Sequence, residues 1–554
     1  MKKKLTAALL IGMLVFAFFP KLESNAEEPV AVKIGLYYGS NALPASNLQY
    51  ATGYGSGYRF GYFSQENANN FTSLMEVTGQ AEITVLKDKL IYGSNKTYYD
   101  VAPSSYSFVI APYHLQLSSS FVSAADALAK CEDLKLHNLS AFPAYINGQF
   151  RVRVGSYSSQ SEANKEMNDI AVAAADSLTV VGYSSTCYTV AVTGQATILF
   201  EFDQGGDPFG IQTIPSGSAK TQTWTKGYKY YGGFEYNRVN GNDITVINVV
   251  ELNDYLKGVI PYEMSPSWPV EALKAQTLCA KSYCINNLHK HRSQGFDLCN
   301  TTDCQVYYGT GNATAASDGA VEAVRGQYVT YGGKIAQTYY HASSGGWTEN
   351  SENIWGTYVP YLRAVEDKYL TNPINWSFSL NNAQIAEILR SKGYTVSSVT
   401  NYYVSELTEV GNVRGVTIER SGASPLVFTG EKARTILSSS ANNISFGSHR
   451  FTVTPDSSYY VNGQAVSDLG SLYAIGKDGV TAQIGSGSEL YAVTGQGTSK
   501  LSGASASSYK IVGKGSGHHI GMSQWGARGM AEKGFSYDQI IKFYFTGVQV
   551  GPAA

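Results

Sequence analysis

The chain has 554 residues, a formal net charge of −2, and only 15% charged side chains. That balance argues against nucleic acid, which wants a basic face, and against an electrostatic hold on anionic lipid. Aromatic residues reach 12%, with 41 Tyr, and there are 56 Gly, a composition that suits twisted β structure and extracellular, carbohydrate-facing surfaces but does not separate a sugar binder from any other β-rich secreted protein.

The chain opens MKKKLTAALLIGMLVFAFFPKLESNAEE. Lys2, Lys3 and Lys4 form a basic start, and Leu5 to Phe19 is an apolar stretch fit for a secretory signal and short for a membrane span. Ser24-Asn25-Ala26 places small residues where a signal peptidase cuts, so residues 1–26 are expected to be a signal peptide, with an uncleaved anchor as the alternative. Either puts the remainder outside the cytoplasm. No later stretch is apolar enough to span a bilayer, and an exported chain allows disulfides among its six Cys.

Residues 27–104 read as a β-rich N-terminal region, because VAVKIGLYYG and AEITVLKDKLIYG alternate with period two. The phrase VTGQA at 77 and 192, and VTGQG at 493, marks similar hairpins and is too short for a repeat. Residues 105–191 change character. A strand in SYSFVIAPYHLQL precedes a helix in SAADALAKCEDLK, capped by Ser123. FPAYINGQFRVRVGSY is a hairpin turning at Asn147-Gly148, followed by a helix in SSQSEANKEMNDIAVAA and a strand in SLTVVGY. That order is β-α-β-β-α-β. Cys131 and Cys187 either pair here or remain two buried thiols. The run from Phe150 to Ala163 resembles the SPOR domain, which implies binding of peptidoglycan glycan strands, preferentially those stripped of stem peptides.

Residues 192–549 form the largest block. Strands such as ATILFEF and DITVINVV lead into PYEMSPSWPVEALKAQTLCAKSYC, residues 261–284. From Pro269 onward Val270, Leu273, Thr277, Ala280, Cys284 and Leu288 fall on one helical stripe; Pro269 suits the first turn, Ser267 can cap it, and Glu271 suits the helix dipole. Glu263 lies before that helix, beside Met264, Pro266 and Trp268. Apolar surroundings disfavour an ionised carboxyl and raise its pKa, as a general acid requires, whereas a mere turn cap or Lys partner requires no such setting. Residues 370–500 add a helix in NNAQIAEILRSKG and further strands.

Three stretches, in order, resemble the family of stage II sporulation protein D and the amidase enhancers: PYEMSPSWPVEALKAQTLCAKSY; YYHASSGGWTENSENIWG from Tyr339 to Gly356, followed by VPYLRAVED; and GHHIGMSQWGARGMAEKG from Gly517 to Gly534. The resemblance implies a lytic transglycosylase of peptidoglycan with Glu263 as its acid. One carboxyl suffices for that reaction: it protonates the leaving oxygen, then takes the proton of the muramyl C6 hydroxyl as that oxygen closes on C1. Ordinary glycosidases use two. Ser343, Ser344, Gly345 and Gly346 are expected to form a tight turn approaching a sugar. Trp347 and Trp355 either stack on sugar or pack in the core. His518, Ser523 and Gln524 offer hydrogen bonds to sugar, and the His518-His519 pair, where the family usually shows His-Gly, leaves open which imidazole faces the cleft.

The resemblance requires no cofactor, but it brings a structural zinc into view. Cys299 and Cys304, with His289 or His291, approach a four-ligand set, with Asp303 where relatives place a His; a short disulfide is the competing reading. The expected fold class is thus α+β: a β-rich multidomain secreted protein, with a SPOR-like unit at 105–191 and a catalytic domain at 192–549. The expected partners are glycan strands and a cell-wall amidase, with no nucleic acid, and a membrane only if residues 1–26 stay attached.

Overall fold

A computed structural model describes residues 31–456 and 507–552 and, between them, short stretches within 459–500. The expected signal peptide and the VTGQG turn near 495 lie outside the described residues. The molecule is mixed α+β and rich in strands, and among the described residues no helix is long and apolar enough to cross a membrane.

The alternating N-terminal sequence does form strands, but they do not form a sheet of their own. Ala31–Tyr37 buries Val32, Ile34 and Leu36 and pairs antiparallel with Thr245–Glu251 and parallel with Leu298–Cys299. Gly57–Phe63 and Phe71–Thr78 join the same seven-stranded sheet through Phe209–Ile214. Ala45–Tyr50 and Glu82–Lys87 enter a second, ten-stranded sheet beside Tyr188–Val192. Residues 31–99 and 188–251 are therefore interleaved, and the expected division at 104 and 192 does not separate them. A two- or three-strand fragment leaves edges and a face unburied, and strands from the later segment cover both.

Between them lies the β-α-β-β-α-β unit. Its strands Tyr113–Leu117, Ala141–Ile146, Gln149–Tyr157 and Leu178–Val181 run in the order fourth, first, third, second, each antiparallel to its neighbour. Helices Ala124–Leu136 and Gln160–Ala174 start at Ser123 and Ser159, whose hydroxyls accept the N–H of Asp126 and Glu162. Asn147 and Gly148 both take positive φ at the hairpin turn. This four-stranded sheet does not stand alone: Ala141–Ile146 pairs in parallel with Ile198–Asp203, extending it to ten strands. A buried ion cluster stitches the seam. Glu201 accepts from Arg153 at 2.6 Å and lies 3.1 Å from His114 Nε2. Cys131 and Cys187 are buried free thiols, not a disulfide.

Two helices form the heart of the next part. Leu252–Glu263 is buried through Pro261, and Val270–Asn286 is buried along nearly all of Ala272 to Ile285. The second helix is thus enclosed on all sides rather than along one stripe. Pro269 is its N-cap, and Ser267 does not cap it; the Ser267 hydroxyl bonds Ser265 instead, at 2.9 Å. Glu271 does more than oppose the dipole: it pairs with Lys274 and accepts the N–H of Tyr537, each at 2.8 Å.

A unit with a separate core is inserted between the second and third sequence motifs. It comprises residues 375–456 and Ser508–Lys514, with helix Asn382–Ser391 closed by an Asn381–Gln384 capping box. The chain then returns. Tyr340–His341 pairs in parallel with Met522–Ser523, and Ser343 exchanges backbone bonds with Ser516, so motifs some 180 residues apart in sequence lie side by side.

Candidate active site

Glu263 is the last residue of the Leu252–Glu263 helix; Met264 is already extended. Glu263 thus sits on a helix end, with Pro261 two residues back inside the helix. The C-terminus of a helix carries partial negative charge, which works against an ionised carboxyl there. Glu263 Oε1 accepts the N–H of Val306 at 3.2 Å, and Oε2 accepts from Gln524 Nε2 at 3.3 Å. The Tyr340 hydroxyl is a third donor. Burial nevertheless outweighs these three and raises the carboxyl above its ordinary value. The donors are themselves held in place: Gln305 donates to Tyr340 and accepts from Tyr255, both at 3.0 Å. Gln524 Nε2 also lies 3.5 Å from Gln276 Oε1.

Of the residues expected to bind sugar, Gln524 is the one that reaches Glu263. Ser343, Ser344 and Ser523 are fully buried, and their hydroxyls are engaged within the protein. Ser343 donates to Asn372 O at 2.8 Å, Ser344 to Asp367 at 2.6 Å, and Ser523 caps the Gln524–Glu532 helix. These hydroxyls serve internal joints: Ser344 and Ser523 both meet Asp367, which Tyr544 also contacts at 2.8 Å. Gly345 takes φ +63°, and a Cβ there would stand 2.7 Å from Lys514 O, so the close approach is to the chain's own backbone. Gly346, at φ +118°, borders open space. Trp347 is half-buried and bridges to Glu366 through backbone.

Alternation along the short strand sends Tyr340 toward Glu263, and Tyr339 and His341 to the other side. His518 lies on that other side, half-buried among Tyr339, His341 and Trp355. His519 is fully buried at positive φ. The imidazole that keeps exposed surface is thus His518, beside the 37% exposed Trp355 and away from the Glu263 carboxyl.

Comparison with known proteins places this geometry. Residues 240–331, which hold Glu263 and Val306, match the family described as Stage II sporulation protein, and residues 111–180 match the SPOR domain. An uncharacterized protein of Brachyspira hyodysenteriae is 32% identical over 327 residues, 58% of this chain and 73% of its own length. The chain belongs to the stage II sporulation protein D family. The amidase enhancer of Bacillus subtilis is 33% identical over 304 residues, and this chain spans 39% of it. Stage II sporulation protein D of the same organism is 24% identical over 319 residues, 55% of this chain and 75% of its own length.

The family segment also contains a cluster of metal-ligating side chains. Donor atoms of His291, Cys299, Asp303 and Cys304 all lie within 4.8 Å of one another. His291 Nε2 is 3.3 Å from Cys304 Sγ and 3.3 Å from Asp303 Oδ2. The structure chooses His291 over His289, which is turned outward to Asp297. Cys299 and Cys304 are free thiols. A hydrogen bond from the Cys304 thiol pushes Cys299 down to about 4, and its effect on Cys304 is the reverse. Two sulfurs, one imidazole and one carboxylate converging this closely make a donor set that fits a tetrahedral zinc ion. Val306, the backbone donor to Glu263, is two residues beyond Cys304.

Tyr340, Val306, Gln305, Gln276 and Asp367 were not singled out from the sequence. Gln276 is an amide on a helix buried along most of its length, among other polar residues such as Thr277, Lys281 and Ser282. Val306 carries no signal, because it acts through its backbone.

Proposed function

We propose that this protein is a lytic transglycosylase that cuts peptidoglycan glycan strands at the bond between N-acetylmuramic acid and N-acetylglucosamine, leaving 1,6-anhydro ends. The observation that carries the reading is the state of Glu263: a carboxyl raised by burial, at a helix C-terminus, whose hydrogen-bond donors are a backbone N–H, an amide and a phenol, all neutral. A protonated Glu263 gives its proton to the glycosidic oxygen. The resulting carboxylate, held by Val306, Gln524 and Tyr340, takes the C6 hydroxyl proton as that oxygen closes on C1. The cycle ends with Glu263 protonated again, and neither an attacking water nor a second carboxylate takes part.

The SPOR-like unit would hold glycan strands, preferentially ones stripped of peptide, and the protein would act in the cell wall, outside the cytoplasm, in sporulation or wall remodelling. His291, Cys299, Asp303 and Cys304 would hold a structural zinc that stiffens the loop leading to Val306. The similarity to an amidase enhancer supports a second reading, in which the same cleft holds glycan without cutting it and stimulates a partner amidase. Mass spectrometry of peptide-free glycan strands incubated with the purified protein separates the two. Fragments with 1,6-anhydro ends, absent with Glu263→Gln, are expected; reducing ends only, or intact strands, overturn the enzyme reading.

A further inference from the structure

The SPOR-like unit meets the strands beside it through buried charges from four stretches of chain. His114 sits on Tyr113–Leu117, Arg153 on Gln149–Tyr157, Glu201 on Ile198–Asp203, and Asp88 directly after Glu82–Lys87. The first two stretches belong to the unit and the last two do not. All four side chains are buried, and one ligand-type atom from each of Asp88, His114 and Glu201 lies within 4.8 Å of the other two. Asp88 also accepts the N–H of Ser184 at 2.7 Å, where the chain leaves the unit beyond Leu178–Val181. Arg238 holds the same exit, donating to Ser184 O at 2.9 Å and to Cys187 O at 3.0 Å.

Both ring nitrogens of His114 meet acceptors. Nδ1 lies 2.7 Å from Gly155 O, and Nε2 lies 3.1 Å from Glu201 Oε1. A neutral imidazole has one N–H, so one of these contacts would set a lone pair against an oxygen; an imidazolium satisfies both. Charge gives the same answer. Asp88 and Glu201 bring two negative charges, and Arg153 returns one, 2.6 Å from Glu201. The neighbouring groups serve elsewhere: Lys87 turns to Asp100 and Asp243, and Arg238 spends its guanidinium on backbone carbonyls. Burial keeps the Cys187 thiol neutral, and Asp203, held by the Ser184 and Thr186 hydroxyls, adds only negative charge. Phe142 packs edge-on against the imidazole at 5.1 Å. The missing positive charge is a proton. Burial, then the adjacent Glu201, pushes Asp88 up to about 7. On His114 burial opposes charge, but Glu201 and the Gly155 carbonyl outweigh it and raise the imidazole above its ordinary value. Stability from a raised group is complete below its unfolded pKa and lost as pH rises through its folded one. The Asp88 share is therefore lost between the ordinary carboxylate range and about 7, and the His114 share above the ordinary imidazole value. Glu201, down at about 2, stays ionised throughout.

We infer that a proton held among Asp88, His114 and Glu201 latches the SPOR-like unit to the neighbouring strands, and that its loss as the surroundings turn alkaline loosens the seam, so that pH sets how firmly the unit is fixed to the rest of the molecule. The test is amide hydrogen exchange of the full chain, read by mass spectrometry at about pH 5.5 and about pH 8.5 and corrected for intrinsic rates. Ala141–Ile146 and Ile198–Asp203 pair across the seam, and their exchange should quicken about tenfold at the higher pH. The pairing of Ala31–Tyr37 with Thr245–Glu251, in the other sheet, should change far less. The double variant Asp88→Asn, His114→Gln keeps the Arg153–Glu201 pair and leaves no group in the cluster that titrates in this range, so its seam should exchange alike at both values. A parent seam equally protected at both, or a double variant that keeps the full response, overturns the latch. A metal ion retained by Cys304→Ser and lost when His114→Gln is added overturns it too, with a metal cation in place of the proton.

Discussion

Replacing Gln524 by Met keeps the side chain's length and removes its amide from Glu263 Oε2, 3.3 Å away. A hydrogen bond to a charged group contributes about 1.5–3 kcal/mol, and the long distance favours the lower end. That bond favours the ionised form, so its loss makes the proton harder to remove, by roughly a factor of ten at about 1.4 kcal/mol per decade. A general acid works only while protonated, so kcat/KM falls as pH rises through its pKa. In the parent this alkaline limb should already stand above the ordinary Glu range, because burial dominates. In Gln524→Met it should move up by about one pH unit. The assay is release of 1,6-anhydro ends from peptide-free strands across a pH series, read as kcat/KM. A limb that stays in place, or moves down, refutes the assignment of Glu263 as the acid whose proton Gln524 helps to control.

Four further outcomes follow from other sites. Glu263 is raised in the folded protein, so the stability it contributes is complete below its unfolded pKa and is lost as pH rises through its folded one; Glu263→Gln should therefore raise the melting temperature at neutral pH and leave it nearly unchanged at pH 4, by differential scanning calorimetry. Burial opposes charge on Glu201, yet His114 and Arg153 bring it down to about 2, and Glu201→Gln should destabilise the fold by about 3–5 kcal/mol in urea titration because Arg153 is left buried without its partner. Gly345→Ala should cost about 1–2 kcal/mol from positive φ alone, before the contact with Lys514 O, measured in the same way. Zinc should copurify with the protein, and Cys304→Ser should lower the metal content found by inductively coupled plasma mass spectrometry, with a fall in melting temperature.

What the sequence conveyed, and what it withheld, divides along local and non-local lines. The β-α-β-β-α-β order was legible because each piece carries its own signal: Ser123 and Ser159 as caps, Asn147-Gly148 as a turn, and helical spacing between. The family motifs were legible because they are contiguous runs. Sheet membership was not, since Ala31–Tyr37 looks the same whether it pairs with a neighbour or with Thr245–Glu251, more than 200 residues on. The serines of the second and third motifs read as sugar ligands because small polar residues suit both a ligand and a tight internal joint. Burial decides between the two, and burial is a property of the assembled fold.

The position of Glu263 at the end of an enclosed helix explains why its donors come from so many places. An acid that gives a proton to one sugar oxygen and then takes one from another has to stay put between the two transfers, and a surface loop does not ensure that. Here the Leu252–Glu263 helix is fixed by its own burial, Val306 by the loop that carries Cys299, Asp303 and Cys304, and Tyr340 and Gln524 by the pairing of Tyr340–His341 with Met522–Ser523. The inserted unit contributes to the last of these. Glu349, fully buried in the second motif, accepts from Asn350 and Asn353 on its own segment and from Thr408 and Asn412 of the inserted unit, at 2.7–2.9 Å. A buried carboxylate with four donors ties that unit to the strand bearing Tyr340. The segment between the second and third motifs is thus a clamp: it leaves one motif, folds on a core of its own, and delivers the third beside the second with Gln524 facing Glu263.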